Sequence, residues 1–275
     1  MNKLNEDNYF SNEMNIKYTG SSQIKSFLEC EARTIAELKG EWEEPTSDAM
    51  LVSSYIDEAI SGTLDTFKEQ NSQIFTRTGE LKSQYKIAEK VIEQIKADPM
   101  FYKYVNGEHQ IIMTGKISEV PIKIKIDSYF KDKAIIDLKA MKDLELIWNN
   151  KTKQKEPFIN AYDYILQAAI YQEIVKQNTN KQLPFIIAVC TKQEYSERAL
   201  LTIPQDELNM KLEFLQIFLP HIQELKEGKI EPTYCGKCNY CKSIAKCNEI
   251  YNYTYYFTKR NHEGGLMWKK KKQKK

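Results

Sequence analysis

Hydrophobic residues in the first hundred positions recur every three or four residues, the spacing of amphipathic helices. The segment 21–40 carries this pattern and ends at Gly40, so it predicts a single helix. The segments 47–62 and 83–98 predict two further helices, the second stopped by Pro99.

The pattern changes to alternation after residue 107. The segment 108–140 is rich in β-branched residues, with turn signals at Gly115, at Pro121 and over 131–133. Such a segment predicts three or four antiparallel strands.

The remaining periodic segments mix both patterns. A helix is predicted at about 158–177, strands over 183–192 and 198–204, and a long helix over 204–228 that Pro220 interrupts. Together the elements predict an α/β (α+β) fold, a central mixed sheet flanked by helices.

Composition is that of a globular protein. The 275 residues are 41% hydrophobic and 28% charged, with a net charge of +2, which suits one large domain or two small ones. No apolar run approaches the roughly 18 residues of a membrane span, and the polar, acidic start does not resemble a secretory signal. We therefore expect a cytoplasmic protein without a membrane partner.

Charged residues in the second and third predicted strands alternate with apolar ones. Lys123, Lys125 and Asp127 share one face of the second strand, and Asp137 and Lys139 share one face of the third. If the two strands form a hairpin, the two aspartates and Lys139 can converge on one polar face.

Two carboxylates held close together favour a bound divalent cation. Oxygen ligands suit Mg²⁺ or Mn²⁺, which can polarise a phosphoryl oxygen and lower the pKa of water, and a nearby ammonium stabilises charge on the phosphate. The arrangement D-x₉-D-x-K therefore suits phosphodiester hydrolysis. On spacing alone, a solvated hairpin with surface ion pairs is equally compatible.

The segments KIKIDSYF and AIIDLKA resemble the core of the PD-(D/E)XK nuclease superfamily, and within it the RecB-like and phage RecE-like recombination exonucleases (exodeoxyribonuclease VIII and λ exonuclease type). The separation of ten between Asp127 and Asp137 suits that motif. In the next helix, Gln167 and Tyr171 are four residues apart and match the Q-x-x-x-Y element of RecB-like nucleases. The resemblance runs from about residue 20 to residue 247.

This resemblance implies a catalytic site with defined roles. Asp127 and Asp137 would hold the metal ion, and Lys139 would position or activate water. Gln167 and Tyr171 would orient the scissile strand, although alone they also fit the polar edge of an amphipathic helix.

The resemblance implies two further metal ligands. Asp57 occupies the position of a Gly-x-x-(His/Asp) pattern in an early helix of RecE-like exonucleases, although Ser53 replaces the usual glycine. An exposed helix acid is the alternative interpretation of Asp57. The backbone carbonyl of Leu138 could add one more ligand.

The activity that the resemblance implies is an Mg²⁺-dependent DNA exonuclease of phage recombination type. It would degrade one strand of linear duplex DNA 5′ to 3′ and leave a 3′ overhang for a single-strand annealing protein, and relatives form ring-shaped homo-oligomers. The alternatives are a RecB-like single-strand nuclease, an endonuclease, or an inactive DNA-binding module.

Clustered cysteines indicate a metal site rather than disulfides in a reducing compartment. Cys30 with Cys238, Cys241 and Cys247 resembles the [4Fe–4S] clasp of AddB-type and CRISPR-associated nucleases. Cys235 adds another C-x₂-C, so a zinc site formed by Cys235, Cys238, Cys241 and Cys247 is an alternative, and free thiols are a third.

The chain divides by pattern into a nuclease domain over 1–229, a cysteine-rich segment over 230–250 and a basic tail over 251–275. The tail ends in KKKKQKK, which is either a solvated extension or a non-specific tether to nucleic acid. Cys190 lies in an apolar strand and is predicted to be a buried thiol.

Overall fold

The structure of the chain, a computed structural model, describes residues 3–150, 152–247 and 250–263. The lysine run at 269–275 lies outside the described residues. Five strands form a central sheet in the order β1-β2-β3-β6-β7, and β4 and β5 form a separate hairpin. The strands are β1 (Glu108–Ile117), β2 (Val120–Phe130), β3 (Ala134–Met141), β4 (Ile147–Asn149), β5 (Gln154–Glu156), β6 (Phe185–Thr191) and β7 (Arg198–Thr202).

Helices precede, interrupt and follow the sheet. They are α1 (Asn12–Lys17), α2 (Ser21–Glu29), α3 (Glu31–Leu38), α4 (Asp48–Ser61), α5 (Leu64–Gln70), α6 (Ser83–Ala97), α7 (Pro99–Val105), α8 (Phe158–Ala161), α9 (Tyr164–Thr179), α10 (Gln205–Lys226), α11 (Asn239–Ser243) and α12 (Tyr253–Glu263). No helix in the described ranges combines the length and apolar character needed to cross a membrane.

The sheet is mixed and has a hydrophobic core on each face. Strands β1, β2 and β3 pair antiparallel, β3 pairs parallel with β6, and β6 pairs antiparallel with β7. Helices α2, α9 and α10 pack on one face, and α4, α6 and α7 pack on the other. The predicted α/β architecture is confirmed, and the connection from β3 to β6 carries α9 across the sheet.

The single helix predicted over 21–40 is wrong. Cys30 separates α2 from α3 because its backbone is extended, with φ −163° and ψ 105°. Its side chain is buried beside Cys241, and the Ala32 amide donates to the Thr233 carbonyl. Contacts with the C-terminal segment therefore set the break, although each helix alone has good helical spacing.

The interruption predicted at Pro220 is also wrong, because α10 continues through it. A proline removes the N–H that would bond the carbonyl four residues earlier, here that of Gln216. The Ser118 hydroxyl donates to that carbonyl at 2.8 Å, so the β1–β2 turn supplies the missing donor.

The helix end predicted at Pro99 is confirmed, since α6 ends at Ala97. Pro99 ends α6 but is also the first residue of α7, a position where its missing N–H costs nothing. The Asp98 side chain caps this second helix by accepting from the Phe101 amide at 3.0 Å. Cys190, as predicted, is fully buried.

Candidate active site

Strands β2 and β3 separate beside the two aspartates of the D-x₉-D-x-K motif, and this opens the site. Their pairing covers only Ser128–Phe130 against Ala134–Ile136. Beyond it, the edge of β2 pairs instead with the N-terminal segment, where the Thr19 amide donates to the Pro121 carbonyl at 2.8 Å. Asp127 and Asp137 therefore flank a gap in the sheet.

Asp127 lies at an irregularity of its own strand. The pairing between β1 and β2 skips Gln110 and Asp127, and Gln110 has a φ of 56°. The Asp127 carboxylate accepts from the Leu138 amide at 3.0 Å, and its carbonyl lies 3.0 Å from His109 Nδ1. These contacts hold Asp127 between β3 and β1 where the β1–β2 pairing is interrupted.

Asp137 and Lys139 point to the same side of β3 and form an ion pair, with 2.5 Å between Lys139 Nζ and Asp137 Oδ2. Gln167 Nε2, from α9, donates to the other oxygen, Oδ1, at 2.5 Å. Asp137 is 2% exposed, and no described group gives Oδ2 a hydrogen bond of ordinary geometry. Its second oxygen is therefore buried with only the ammonium as a partner.

Tyr171 contacts backbone rather than a carboxylate. Its hydroxyl donates to the Lys125 carbonyl at 2.9 Å, and its ring packs perpendicular to Phe185. Gln167 thus contacts Asp137 directly, while Tyr171 holds the β2 backbone two residues before Asp127.

Asp57 projects from α4 into the cavity that Asp127, Leu138 and Lys139 also line. Burial, with Glu58 and Asp137 nearby, raises the pKa of Asp57 to about 6. Burial and the charges of Asp57 and Asp137 raise the pKa of Asp127 well above its usual range. For Lys139, burial lowers the pKa, but the carboxylates of Asp137 and Asp127 outweigh it and the net shift is upward.

These donors fit a hard divalent cation. The carboxylates of Asp57 and Asp127 line the cavity, and each is repelled by that of Asp137 behind them. The second oxygen of Asp137 has only the Lys139 ammonium as a partner. Carboxylate oxygens are the preferred ligands of Mg²⁺ and Mn²⁺. A bound cation would relieve the repulsion that raises the pKa of Asp127.

Sequence reasoning missed several cavity residues, because they lie far from the motif in the chain. Lys25 in α2 donates to the Tyr162 carbonyl at 2.9 Å and lies 4.5 Å from the centre of the Tyr164 ring. Burial and the charge of Lys139 lower the pKa of Lys25 to about 8. No motif surrounds these residues, so no signal in the sequence identifies them.

The polar face predicted for β2 is only partly open to the cavity. Lys123 is 3% exposed and donates to the Tyr9 carbonyl and, at 2.8 Å, to Asn15 Oδ1. Burial lowers its pKa to about 8. Lys123 therefore attaches the N-terminal segment at the edge of the cavity that Lys125 and Asp127 also line.

Comparison with known proteins agrees with this geometry. The family described as "PDDEXK-like domain of unknown function (DUF3799)" matches residues 20–244, most of the chain. The chain belongs to this PDDEXK-like family. It is thereby a member of the PD-(D/E)XK nuclease superfamily, as the sequence motifs predict.

A solved relative covers nearly the same extent as this PDDEXK-like chain. It is a crystal structure of a Eubacterium rectale protein named "Putative exonuclease", with 36% identity and a TM-score of 0.88 over 93% of this chain and 98% of that one. A structure named SSO0001 has only 15% identity and a TM-score of 0.30, over 81% of this chain and 95% of that one. No curated protein matches significantly.

The PDDEXK-like chain also gathers four cysteines outside the carboxylate cavity. The Sγ atoms of Cys30, Cys235, Cys238 and Cys241 all lie within 4.8 Å of one another. Cys247, which the sequence assigned to both the cluster and the zinc alternative, is exposed and is not in this group. The structure thus combines Cys30 from the first prediction with Cys235 from the second.

The cysteine group has features of a thiolate metal site. Amides of Lys237 and Cys238 each donate to Cys235 Sγ at 3.4 Å, and the Cys241 amide donates to Cys238 Sγ at 3.4 Å. The pKa of Cys235 falls to about 7: burial raises it, but these hydrogen bonds outweigh the burial. The donors fit a metal ion, because thiolates are the form that binds metal.

Proposed function

We propose that this chain is an Mg²⁺-dependent deoxyribonuclease that hydrolyses phosphodiester bonds. The observation that carries the proposal is the convergence of Asp57, Asp127 and Lys139 on one cavity, with Asp137 buried behind it and paired with Lys139. A structural hairpin does not require a buried carboxylate whose second oxygen has only a lysine ammonium as its partner.

In this proposal Asp127 and Asp137 hold the metal ion, with Asp57 and the Leu138 carbonyl as further ligands. When bound, the ion supplies Lewis acidity toward a phosphoryl oxygen and lowers the pKa of water. Lys139, whose ammonium Asp137 holds in place, stabilises the negative charge that grows on the phosphate.

The residues of α9 act by position. Gln167 fixes the rotamer of Asp137 through one oxygen and leaves the other directed at Lys139. Tyr171 fixes the β2 backbone next to Asp127 and thereby the spacing of the two acids.

We further propose exonuclease action of the phage recombination type: one strand of linear duplex DNA is degraded 5′ to 3′, which leaves a 3′ overhang for an annealing protein. The support is the resemblance of the motifs, together with the name of the Eubacterium rectale relative. Action in the cytoplasm and a ring-shaped homo-oligomer belong to the same proposal. A single-strand nuclease or an endonuclease would use the same residues.

The test is digestion of linear duplex DNA labelled at either end, beside the same DNA as a covalently closed circle. With Mg²⁺ we expect ordered loss of the 5′ label from the linear DNA and intact circles, and no cleavage in EDTA or by Lys139→Met. Cleaved circles would show an endonuclease, and loss of the 3′ label first would reverse the polarity. Inactivity on every substrate, with DNA still bound, would show an inactive binding module.

We also propose that the cysteine group holds one tetrahedrally coordinated metal ion, and that this ion is zinc. A tetrahedron with Zn–S bonds of about 2.3 Å has sulfur–sulfur edges of about 3.8 Å. Cys241 Sγ lies 3.6 Å from that of Cys30 and 3.9 Å from that of Cys235. A [4Fe–4S] cluster, the alternative, places its irons and sulfides between the thiolates and requires wider spacing.

A further inference from the structure

The walls of the carboxylate cavity carry cations that the proposed hydrolysis leaves without a role. Lys25 and Lys125 line the cavity, and no described carboxylate lies within ion-pair distance of either. Each instead lies over an aromatic ring: Lys25 over Tyr164, and Lys125 over Phe10 at 4.8 Å. Ammonium groups without an ion-pair partner are available to an anionic ligand.

Lys25 is the better placed of the two for a phosphate. It is half-buried, and its ammonium is held by the Tyr162 carbonyl and the Tyr164 ring, which leaves further N–H donors for a ligand. Lys139 lies 5.0 Å from the centre of the same ring, so both ammonium groups contact Tyr164. Two ammonium groups beside one ring can bind phosphates of one strand, one at Lys139 and another at Lys25.

Two exposed aromatic side chains lie at the carboxylates: Phe10 lines the cavity of Lys25, and Tyr162 lines an adjoining cavity that shares Asp57, Asp127 and Lys139 with it. Phe10 is 71% exposed and Tyr162 is 49% exposed, although large aromatic side chains are mostly buried in folded proteins. They come from distant parts of the chain, the N-terminal segment and the turn between α8 and α9. Their presence beside the carboxylates suits contact with flat ligands.

The turn that presents Tyr162 is held in an unusual conformation. Asp163, between Tyr162 and Tyr164, has a φ of 49°, which is uncommon for a residue other than glycine. Lys211 from α10 pairs with its carboxylate at 2.9 Å. The fold thus maintains a local strain that places both tyrosines at the cavity.

We infer that Lys25, Phe10 and Tyr162 form a subsite for an unpaired nucleotide of a nucleic-acid strand, next to the scissile phosphate. Lys25 binds the phosphate of that nucleotide, and the aromatic side chains stack on unpaired bases. A base inside a duplex has no free face, so exposed rings in this cavity suit a strand that is single at the site. The inference rests on the proposed function, since it names the form of the substrate there.

Binding in EDTA tests the subsite without cleavage. The probe is a fluorescein-labelled single-stranded ten-nucleotide oligothymidylate, followed by anisotropy at several salt concentrations. Lys25→Met should weaken binding and reduce the slope of log K against log salt by about 0.7, the value for one phosphate contact on a single strand. Phe10→Ala and Tyr162→Ala should weaken binding about 5- to 100-fold and leave the slope unchanged.

Matched controls are exposed residues away from the cavity. Lys86, on α6, pairs with Glu80 at the surface, and Tyr195 is 85% exposed in the β6–β7 loop. Lys86→Met and Tyr195→Ala should bind like the wild type. Equal slopes for Lys25→Met and Lys86→Met, with all variants folded by thermal melting, would overturn the role of Lys25.

Stacking has its own readout. A 2-aminopurine base at the 5′ end of the oligonucleotide should lose fluorescence when it binds the wild-type protein. Phe10→Tyr should quench it equally, whereas Phe10→Ala and Tyr162→Ala should quench it less. Probes with 5′-phosphate and 5′-hydroxyl distinguish the source of the phosphate: dependence of the Lys25 effect on the 5′-phosphate shows a terminal phosphate, and independence shows an internal one. Unchanged quenching in both alanine variants would overturn the stacking role.

The outcomes separate this inference from the proposed function. If the wild-type protein cleaves DNA while the three subsite variants bind and quench normally, the subsite inference is overturned and the nuclease proposal stands. If the wild-type protein binds the oligonucleotide through Lys25 and Phe10 but cleaves nothing with Mg²⁺, the nuclease proposal is overturned and the subsite inference stands.

Discussion

Gln167 donates a hydrogen bond of 2.5 Å to Asp137, and both side chains are buried. Gln167→Met keeps the volume and removes the donor, so we expect cleavage to fall about 10- to 100-fold as Asp137 loses its fixed orientation. Steady-state nuclease assays measure this effect. The control is Gln172→Met, because Gln172 is buried on the same helix but bonds the Leu183 carbonyl, away from the cavity. Equal losses in the two variants would indicate a general packing effect.

The ion pair of Asp137 and Lys139 predicts a stability pattern that surface pairs do not give. Lys139→Met leaves a buried carboxylate uncompensated and should lower the free energy of unfolding by about 3–5 kcal/mol. Asp137→Asn added to that variant removes the charge and should restore most of the loss, while both variants stay inactive. Urea denaturation at neutral pH measures both steps. A Lys139→Met protein as stable as the wild type would contradict the buried pair.

The raised pKa of Asp57 predicts that the Asp57→Asn substitution increases the free energy of unfolding, by an amount that depends on pH. Because its pKa is about 6 in the folded protein and about 3.9 when unfolded, the folded state binds more protons between these values. The free energy of unfolding therefore falls as pH rises from about 4 to about 6. In metal-free protein, Asp57→Asn should be more stable than the wild type above pH 6, by roughly 1–2 kcal/mol after solvent screening, and equal to it below pH 4.

Urea titrations in EDTA across this range measure the difference. Glu69→Gln, an exposed acid on α5, is the control and should show no such rise. A constant offset between Asp57→Asn and the wild type at every pH would contradict the shift.

The cysteine group predicts a ranking of single substitutions. Cys30→Ser and Cys235→Ser should each lose the bound metal and lower the melting temperature, because each removes one of four gathered thiols. Cys247→Ser should do neither. Metal analysis of anaerobically purified protein should give about one zinc per chain and no colour. Brown protein that bleaches in Cys247→Ser and not in Cys235→Ser would instead support the [4Fe–4S] alternative.

The alternation of polar and apolar residues predicted the carboxylates and the lysine of the candidate site, because these residues lie on adjacent strands. Alternation placed Asp137 and Lys139 on one side of β3, and a helical spacing of four placed Gln167 and Tyr171 near each other. Such arguments use only the geometry of one element. They also predicted the mixed sheet, since the change from helical to alternating spacing at residue 108 is abrupt.

Helix breaks and cavity residues that depend on contacts between residues far apart in the sequence were not predicted. The break at Cys30 depends on Cys241 and Thr233, and the unbroken helix at Pro220 depends on Ser118. In both places the local sequence favours the wrong answer, and tertiary contacts override it. Lys25 belongs to the same class, because only the packing of α2 against the turn at Tyr162 brings it to the cavity.

The contact between Cys30 and Cys241 also has a consequence for the order of events during synthesis. The two residues are 211 positions apart, so Cys30 leaves the ribosome long before its partner exists. At roughly 5–20 residues per second, the interval is about 10–40 s. During that interval the nascent chain holds a thiol without its three partners, and the bend between α2 and α3 has nothing to fix it. A chain that stalls before residue 235 would therefore expose Cys30 to oxidation, and the finished protein would not.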